Sequence, residues 1–270
     1  MKQSGMTNRI PRTLLALAAC TALAFSAVGC SEDSTTEPSK AGTFYGTPVT
    51  VGAGKARSWV TLDKDGNPTA IGLALTDSAL MNLPTTPFPP TEYVLTLPAQ
   101  ASATIYNHIG LDWNVEGHPP APIYTKPHFD MHFYTISQAE RDMIDPADTA
   151  KVNKMPDTNY VPAGYVLPPG PVEAVPRMGV HWGDLTSHEF HGSEFDKTFI
   201  YGFWNGTMIF AEPMITVAYL QSKASFTEDL KLPKLFSKLG YFGTKYSIRY
   251  DATTKEHIVS LDNLKKAVAM

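Results

Sequence analysis

The sequence predicts a mainly β protein, either an antiparallel barrel or a sandwich, with a few short helices. The 22 prolines and 19 glycines in 270 residues divide the chain into short segments, which favours turns and strands over a helical bundle. Several of these segments alternate apolar and polar residues, the period expected of half-buried strands. Asn205-Gly206 separates two such segments and is typical of a type I′ hairpin turn.

The predicted elements follow one another along most of the chain. Strands are predicted at 42–51 (a pair around a turn), 56–62, 69–75, 92–97, 105–113, 126–136, 175–182, 197–204, 207–211, 245–250 and 257–261. Short helices are predicted at 78–83, 137–144, 213–223 and 262–270, with Ser137 and Glu140 placed as in a capping box. Residues 145–171 have no periodicity and are expected to form a surface excursion or a lid. A small N-terminal meander, reaching to about Leu83 and packed on a larger β domain, is the alternative organisation.

The first 29 residues have the pattern of a lipoprotein signal peptide. Lys2, Arg9 and Arg12 precede an apolar run at 14–27, which at roughly 14 residues is shorter than the roughly 20 that a membrane span needs. Small residues then lead to Cys30, whose thiol is the predicted lipidation site. Leu17-Ala18-Ala19-Cys20 is a second possible cleavage motif, but apolar sequence continues after it, which favours Cys30.

The predicted organisation is therefore a signal peptide at 1–29, a flexible tether at 30–41 and one β-rich domain at 42–270. The tether prediction rests on residues 31–40, which are polar and lack a large apolar side chain. Ser31 directly after the lipidated cysteine carries no evident inner-membrane retention signal, so we expect an exported protein on a lipid anchor at the outer membrane.

Charge and cysteine content exclude several classes of protein. Removal of the signal peptide takes away three positive charges, so the net charge falls from −4 to −7. With no basic run along the chain, nucleic-acid binding is not expected. Once Cys30 carries lipid no free thiol remains, which excludes a disulfide framework and a cysteine nucleophile.

Candidate functional residues concentrate in the segment His128-Phe129-Asp130-Met131-His132-Phe133-Tyr134. Because side chains alternate along a strand, His128, Asp130 and His132 share one face, and the apolar residues between them face the core. Imidazole and carboxylate groups on one strand, completed from neighbouring strands, suit a Zn, Mn, Fe, Ni or Cu ion. His181 and Glu212, both in or at the end of predicted strands, are the candidates for a further ligand.

Two other interpretations of this polar face remain open. It can be a structural network of hydrogen bonds without a metal, or a metal-free His/Asp site for general acid–base chemistry. His118 lies before Pro119-Pro120, where a turn residue is the expected role, and His188 and His191 are expected to be exposed loop residues.

The chain also resembles a known family through a set of motifs. These are 117–120, 127–134, Met178-Gly179-Val180-His181-Trp182, 202–206 and 210–216. Together they are similar to a family of exported bacterial proteins of unknown function, typified by a hypothetical Thermus protein under an extracytoplasmic sigma-factor and anti-sigma-factor pair. The resemblance implies a largely β fold and ring-like homo-oligomers, and it implies no reaction and no catalytic residue.

Two function classes follow. The first is an oligomeric binding or stress-response module, anchored to the cell envelope by its lipid and having a structural His/Asp face. The second is a metal-dependent enzyme, a hydrolase or an oxygen-using enzyme, because a bound ion makes its water nucleophilic. No sequence feature identifies a substrate or a ligand.

Overall fold

The computed structural model describes residues 40–267, and in this range the chain forms two antiparallel sheets of seven strands, a two-stranded sheet and three short α-helices. The strands are β1 (Gly42–Tyr45), β2 (Val49–Val51), β3 (Gly54–Leu62), β4 (Pro68–Thr76), β5 (Thr91–Thr96), β6 (His108–Asn114), β7 (His128–Tyr134), β8 (Tyr165–Val166), β9 (Val180–Asp184), β10 (Lys197–Trp204), β11 (Thr207–Thr216), β12 (Phe226–Asp229), β13 (Tyr241–Phe242), β14 (Lys245–Asp251), β15 (Glu256–Asp262) and β16 (Lys265–Lys266). The α-helices are α1 (Gln138–Asp142), α2 (Thr149–Val152) and α3 (Val217–Ser222), and 3-10 turns occur at Asp77–Leu80, Ala99–Ala103, Thr158–Tyr160 and His188–His191.

The first large sheet has the order β1-β3-β4-β15-β14-β12, and β2 pairs with the same edge of β3 as β1 does. The β3–β4 hairpin turns at the acidic segment 63–67, where Asp63 accepts the backbone N–H groups of Asp65 and Asn67. β4 pairs with β15, from Thr76 opposite Glu256 to Ala70 opposite Asp262. This pairing places an N-terminal hairpin and a C-terminal hairpin side by side in one sheet.

The second large sheet has the order β5-β6-β7-β11-β10-β9-β8, with β7 near its centre. β10 and β11 form a hairpin across Asn205-Gly206, and both turn residues have positive φ, at 51° and 74°. This is the backbone of a type I′ turn, as predicted. α1 begins after Ser137, whose capping box with Glu140 is also confirmed.

The hydrophobic core lies between the two large sheets, so the fold is a sandwich, and within residues 40–267 no barrel closes. Phe129, Met131 and Phe133 of β7 are fully buried in it with Leu73 of β4 and Val259 of β15. Because strand side chains alternate, the burial of these residues directs His128, Asp130 and His132 to the opposite, outer face of the second sheet.

Several predicted elements differ from the structure. The strand predicted at 175–182 begins only at Val180, and the helix predicted at 78–83 is a 3-10 turn at Asp77–Leu80. β11 continues through Pro213 to Thr216 where a helix was expected, and only Val217–Ser222 is helical. The C-terminal segment forms β16, which pairs with β13, instead of a helix at 262–270. β1 and β2 pair with β3 and not with each other.

The predicted signal peptide and nearly all of the tether lie outside the described residues, as do residues 268–270. Within the described part of the chain, no helix has both the length and the apolar character needed to cross a bilayer.

Candidate metal centre

The outer face of the second sheet carries a row of buried ionisable side chains. His132 and Glu212 are each 1% exposed, and Asp112 is equally buried, although this face points away from the core. Long connections cover it: Tyr124 and Phe195 pack there with Ile200 and Met214. Charged groups that are removed from water in this way require partners or a bound ion.

The first group of possible ligands consists of His132, His181 and Glu212. One ligand atom from each residue lies within 4.8 Å of the others. His132 Nε2 is 3.4 Å from Glu212 Oε1, and His181 Nε2 is 3.7 Å from Glu212 Oε2. The three residues come from β7, β9 and β11, so the sheet itself brings them together.

Asp112 of β6 supports the His132 imidazole from the other side. Its Oδ2 atom lies 3.0 Å from His132 Nδ1, although the two atoms are not aligned as a hydrogen bond. A carboxylate behind the imidazole is the usual arrangement in protein metal sites, because it holds the proton on one ring nitrogen and leaves the other free to bind the ion.

Local features of β10 and β11 position Glu212 and His181. The β11 ladder with β7 pairs Ala211 with Phe133 and then Met214 with Asp130, so it skips Glu212 and Pro213. Proline has no backbone N–H to donate, which accounts for the interruption beside Glu212. His181 is opposite Gly202 of β10.

The Phe210 ring lies directly over Gly202 and packs against both imidazoles of the first group. A Cβ atom on Gly202 would be 2.0 Å from this ring, so only glycine leaves room for it. Its ring centroid is 4.7 Å from that of His132 and 5.3 Å from that of His181. Phe210 thus provides an apolar contact that restricts the rings of both His132 and His181.

The protonation of the first group is governed by burial and by its carboxylates. Burial, together with the nearby His132, lowers the pKa of His181 to about 3, so this imidazole is neutral at pH 7. Burial also disfavours a charge on His132, but Glu212 and Asp112 outweigh it and raise the pKa of His132 to about 9. Burial raises the pKa of Glu212, against the opposing effect of His132. The group therefore holds protons at pH 7 that a metal ion would displace.

The second group of possible ligands consists of His118, His128 and Asp130. Asp130 is at its centre: Oδ1 lies 3.0 Å from His128 Nε2 and Oδ2 lies 3.2 Å from His118 Nε2. Asn114 of β6 donates a hydrogen bond of 2.7 Å from Nδ2 to Asp130 Oδ2. Two of the ligands come from β7, whereas His118 comes from the connection between β6 and β7.

Asp130 is the most acidic of the carboxyl groups that face these histidines. Burial works against its charge, but His128 and His118 outweigh burial and hold the pKa of Asp130 well below its usual range. Burial likewise opposes a charge on His118, yet the contact with Asp130 raises the pKa of His118 to about 9.

A stack of rings continues from the first group toward α1. Tyr134 lies between His132 and His108, with centroid separations of 5.4 and 4.8 Å and nearly parallel planes. Arg141 of α1 packs over the Tyr134 ring and donates to His108 Nε2 at 3.2 Å. Arg141 also pairs with Glu92 of β5, which in turn pairs with Arg177.

The structure divides the predicted site residues between the two groups. His132, His181 and Glu212 are together, while His128 and Asp130 lie in the other group. His118, which was expected to be a turn residue, joins that second group, and its position in a loop gives no periodic signal in the sequence. His188 is partly exposed beside Asp196, and His191 is exposed, so neither is in a group.

Comparison with known proteins gives one similarity. A family model described as TTHB210-like, hypothetical protein TTHB210, matches residues 63–113, which include β4, β5 and nearly all of β6. No curated protein and no solved structure has detectable similarity to the chain. The matched segment contains Asp112 but no residue of either ligand group. The chain is therefore similar, over this segment, to a family that is itself described only as hypothetical.

Proposed function

We propose that this protein is a metal-binding protein of the cell envelope that holds a divalent cation between His132, His181 and Glu212. The observation that carries the proposal is the convergence of one ligand atom from each of three residues, of which His132 and Glu212 are buried. His132 Nε2 and Glu212 Oε2 are inaccessible to water, and neither has a hydrogen-bond partner among residues 40–267. A buried polar atom without a partner costs about 1–3 kcal/mol, and a cation would satisfy both atoms.

The separations of the ligand atoms support an ion between them. Two atoms that each lie about 2.0–2.1 Å from a tetrahedral ion are roughly 3.4 Å apart. The observed separations, 3.4 Å from His132 Nε2 to Glu212 Oε1 and 3.7 Å from His181 Nε2 to Glu212 Oε2, are close to this value. One ligand atom from each of the three residues lies within 4.8 Å of the others. A purely structural network would instead need aligned hydrogen bonds at these atoms, so the geometry favours metal binding over that interpretation.

The donor set narrows the choice of ion. Two imidazoles and one carboxylate, with no sulfur donor, suit Zn, Mn, Fe, Ni or Cu and disfavour Ca and Mg, which prefer oxygen ligands. The neutral state of His181 at pH 7 leaves its lone pair ready to bind. The raised pKa of His132 means that binding releases a proton, so affinity is expected to increase as the pH rises toward about 9.

A metal-dependent enzyme is the second candidate function, because three protein ligands are typical of catalytic sites. Such sites leave a coordination position for water, whose pKa the ion lowers. His181 is the ligand of the first group that solvent reaches, with 24% of its side chain exposed. This arrangement supports a hydrolase or an oxygen-using enzyme, and no observation selects a substrate.

The cellular setting is a further part of the proposal. The leader pattern before Cys30 supports export and a lipid anchor, with the outer membrane as the favoured location. The resemblance to exported proteins with ring-like assemblies supports a homo-oligomer that acts as a binding or stress-response module.

The test is elemental analysis of the full-length chain, extracted in detergent and purified without a histidine tag or a chelator. We expect the wild type to hold metal near stoichiometry and Glu212→Gln to lose one equivalent, because the variant lacks the anionic ligand. Glu256→Gln is the matched control, since Glu256 is also buried but belongs to the first sheet, where it pairs with Arg57. Equal metal content in the wild type and Glu212→Gln would contradict the proposal.

A further inference from the structure

The connection between β6 and β7, residues 115–127, brings His118 over the outer face of the second sheet. Within this connection, the His118 backbone N–H donates to the Tyr124 carbonyl at 2.9 Å, so the segment closes on itself. The ring of His118 is 4.8 Å from that of His128, and Asp130 lies against both imidazoles. The second ligand group thus joins a loop to a strand, whereas the first joins three strands.

Both imidazoles of this group have one nitrogen fixed by a backbone carbonyl. His128 Nδ1 is 2.6 Å from the Lys126 carbonyl oxygen, and His118 Nδ1 is 2.7 Å from the Pro119 carbonyl oxygen. A carbonyl only accepts, so Nδ1 carries the hydrogen in each ring. Without a further cation, each Nε2 would then present a lone pair toward a carboxylate oxygen of Asp130, which is repulsive, so either a proton or a metal ion lies between them.

The geometry of the contact between His128 and Asp130 distinguishes a bound metal ion from a shared proton. His128 Nε2 and Asp130 Oδ1 are 3.0 Å apart and fully buried, yet no atom of residues 40–267 makes a hydrogen bond to either. A shared proton would have to lie near the line between the two atoms. An ion about 2.0–2.2 Å from each must lie to one side of that line, and a misaligned contact at this separation permits it.

Charge supports the same assignment. Protons on both Nε2 atoms would place two imidazolium rings in contact on a buried face, with one carboxylate between them. One divalent ion supplies the same charge as the two protons and avoids the contact between two imidazolium rings. In addition, metal-bound histidines usually donate their Nδ1–H group to a backbone carbonyl, as both rings do here.

We infer that His118, His128 and Asp130 form a second site for a divalent transition-metal ion, and that the ion fastens residues 115–127 onto the sheet. The assignment is independent of the first group, since the two groups share no residue. A filled site holds the loop closed over the outer face. Without the ion, His118 contacts the sheet only through Asp130 and the ring of His128, so we expect the loop to open more readily.

The experiment combines metal stoichiometry with hydrogen exchange, using the full-length chain in detergent and zinc as the added ion. We expect two equivalents of zinc in the wild type, one in His118→Gln, one in Glu212→Gln and none in the double variant. We expect zinc to slow amide exchange in residues 115–127 of the wild type and of Glu212→Gln, and to leave exchange unchanged in His118→Gln. His191→Gln, which removes an exposed histidine outside both groups, should behave as the wild type.

The outcomes separate the two sites. An ion lost in Glu212→Gln but not in His118→Gln, with zinc leaving the loop unaffected, overturns the second site and keeps the first. An ion lost only in His118→Gln supports the second site and contradicts the first. A folded wild type that takes up no zinc contradicts both.

Discussion

Arg141 is 1% exposed, and its charge is balanced by residues from other elements. It pairs with Glu92, donates to the unprotonated Nε2 of His108 and packs over Tyr134. His108 Nδ1 in turn lies 3.1 Å from the Asn107 side-chain oxygen, which places the ring hydrogen on Nδ1. The neutral form of His108 is therefore required, because a proton on Nε2 would face the Arg141 guanidinium.

This arrangement predicts a loss of stability in acid. Burial, reinforced by Arg141, lowers the pKa of His108 from its usual 6.5 to about 4. As the pH falls, the unfolded chain therefore binds a proton at His108 before the folded protein does. The stability that neutral His108 contributes is complete above about pH 6.5 and is lost as the pH falls through about 4. Denaturant unfolding of the wild type should show the free energy of unfolding fall between about pH 6.5 and 4. In His108→Gln this fall should be smaller by about 2–3 kcal/mol.

His191→Gln is the control for this measurement, because His191 is exposed and its replacement should leave the profile unchanged. A His108→Gln protein with the same acid decline as the wild type would show that other groups cause it.

Part of the candidate site could be predicted from the sequence, and part could not. The alternation of β7 was sufficient to place His128, Asp130 and His132 on one face, because the period of a strand is fixed by its backbone. The same alternation could not divide them into two groups. That division depends on Asp112 and Asn114 of β6, on Glu212 of β11 and on His118 in a loop.

Among the elements, β11 departs most clearly from the sequence prediction, and it departs beside a candidate metal ligand. Pro213 indicated the end of a strand, yet β11 continues through it in the middle of the sheet. The ladder to β7 opens at Glu212 and Pro213, while the ladder to β10 pairs Pro213 with Phe199. An interruption that weakens the sheet thus coincides with the carboxylate of the first group.

The β10–β11 hairpin predicts an effect of one added methyl group. Gly202→Ala would bring Cβ to 2.0 Å from the Phe210 ring, so the ring must move away from its place against His132 and His181. We expect a loss of about 1–3 kcal/mol in the free energy of unfolding, as for other overpacked positions, together with weaker zinc binding at the first site.

Gly183→Ala is the matched control for this variant, because its added Cβ would find its nearest neighbour at an ordinary 3.9 Å from Phe190. Thermal unfolding and zinc titration of both proteins test the prediction. A Gly202→Ala protein with wild-type stability and zinc affinity would show that the Phe210 ring does not fix the imidazoles.

At the scale of the whole molecule, both ligand groups found among residues 40–267 lie on the outer face of the second large sheet. The hairpin predicted at Asn205-Gly206 is present as β10–β11. The strands predicted at 56–62 and 69–75, and those at 245–250 and 257–261, also pair as the hairpins β3–β4 and β14–β15. The sandwich was one of the two predicted architectures. The pairing of β4 with β15 joins segments about 180 residues apart in sequence, and no local pattern specifies a contact over that separation.

The proposed anchor leads to a prediction for the intact chain in its membrane. Cys30→Ser removes the thiol that would receive the lipid, so the variant should leave the detergent phase in which the wild type partitions. Cys20→Ser is the control, because Cys20 lies inside the predicted signal and its replacement should not affect anchoring. Partitioning of Cys30→Ser into detergent would contradict the lipid anchor, and loss in Cys20→Ser would move the cleavage site there.

Both ligand groups consist of imidazole and carboxylate donors, and residues 40–267 contain no cysteine. Peroxide and similar oxidants release metal from thiolate sites by converting the sulfur to sulfenic and higher acids. Neither ligand group contains a sulfur atom that these oxidants could modify. If the sites hold zinc, they would therefore keep it in the presence of peroxide, and no thiol-reducing system would be needed to restore them.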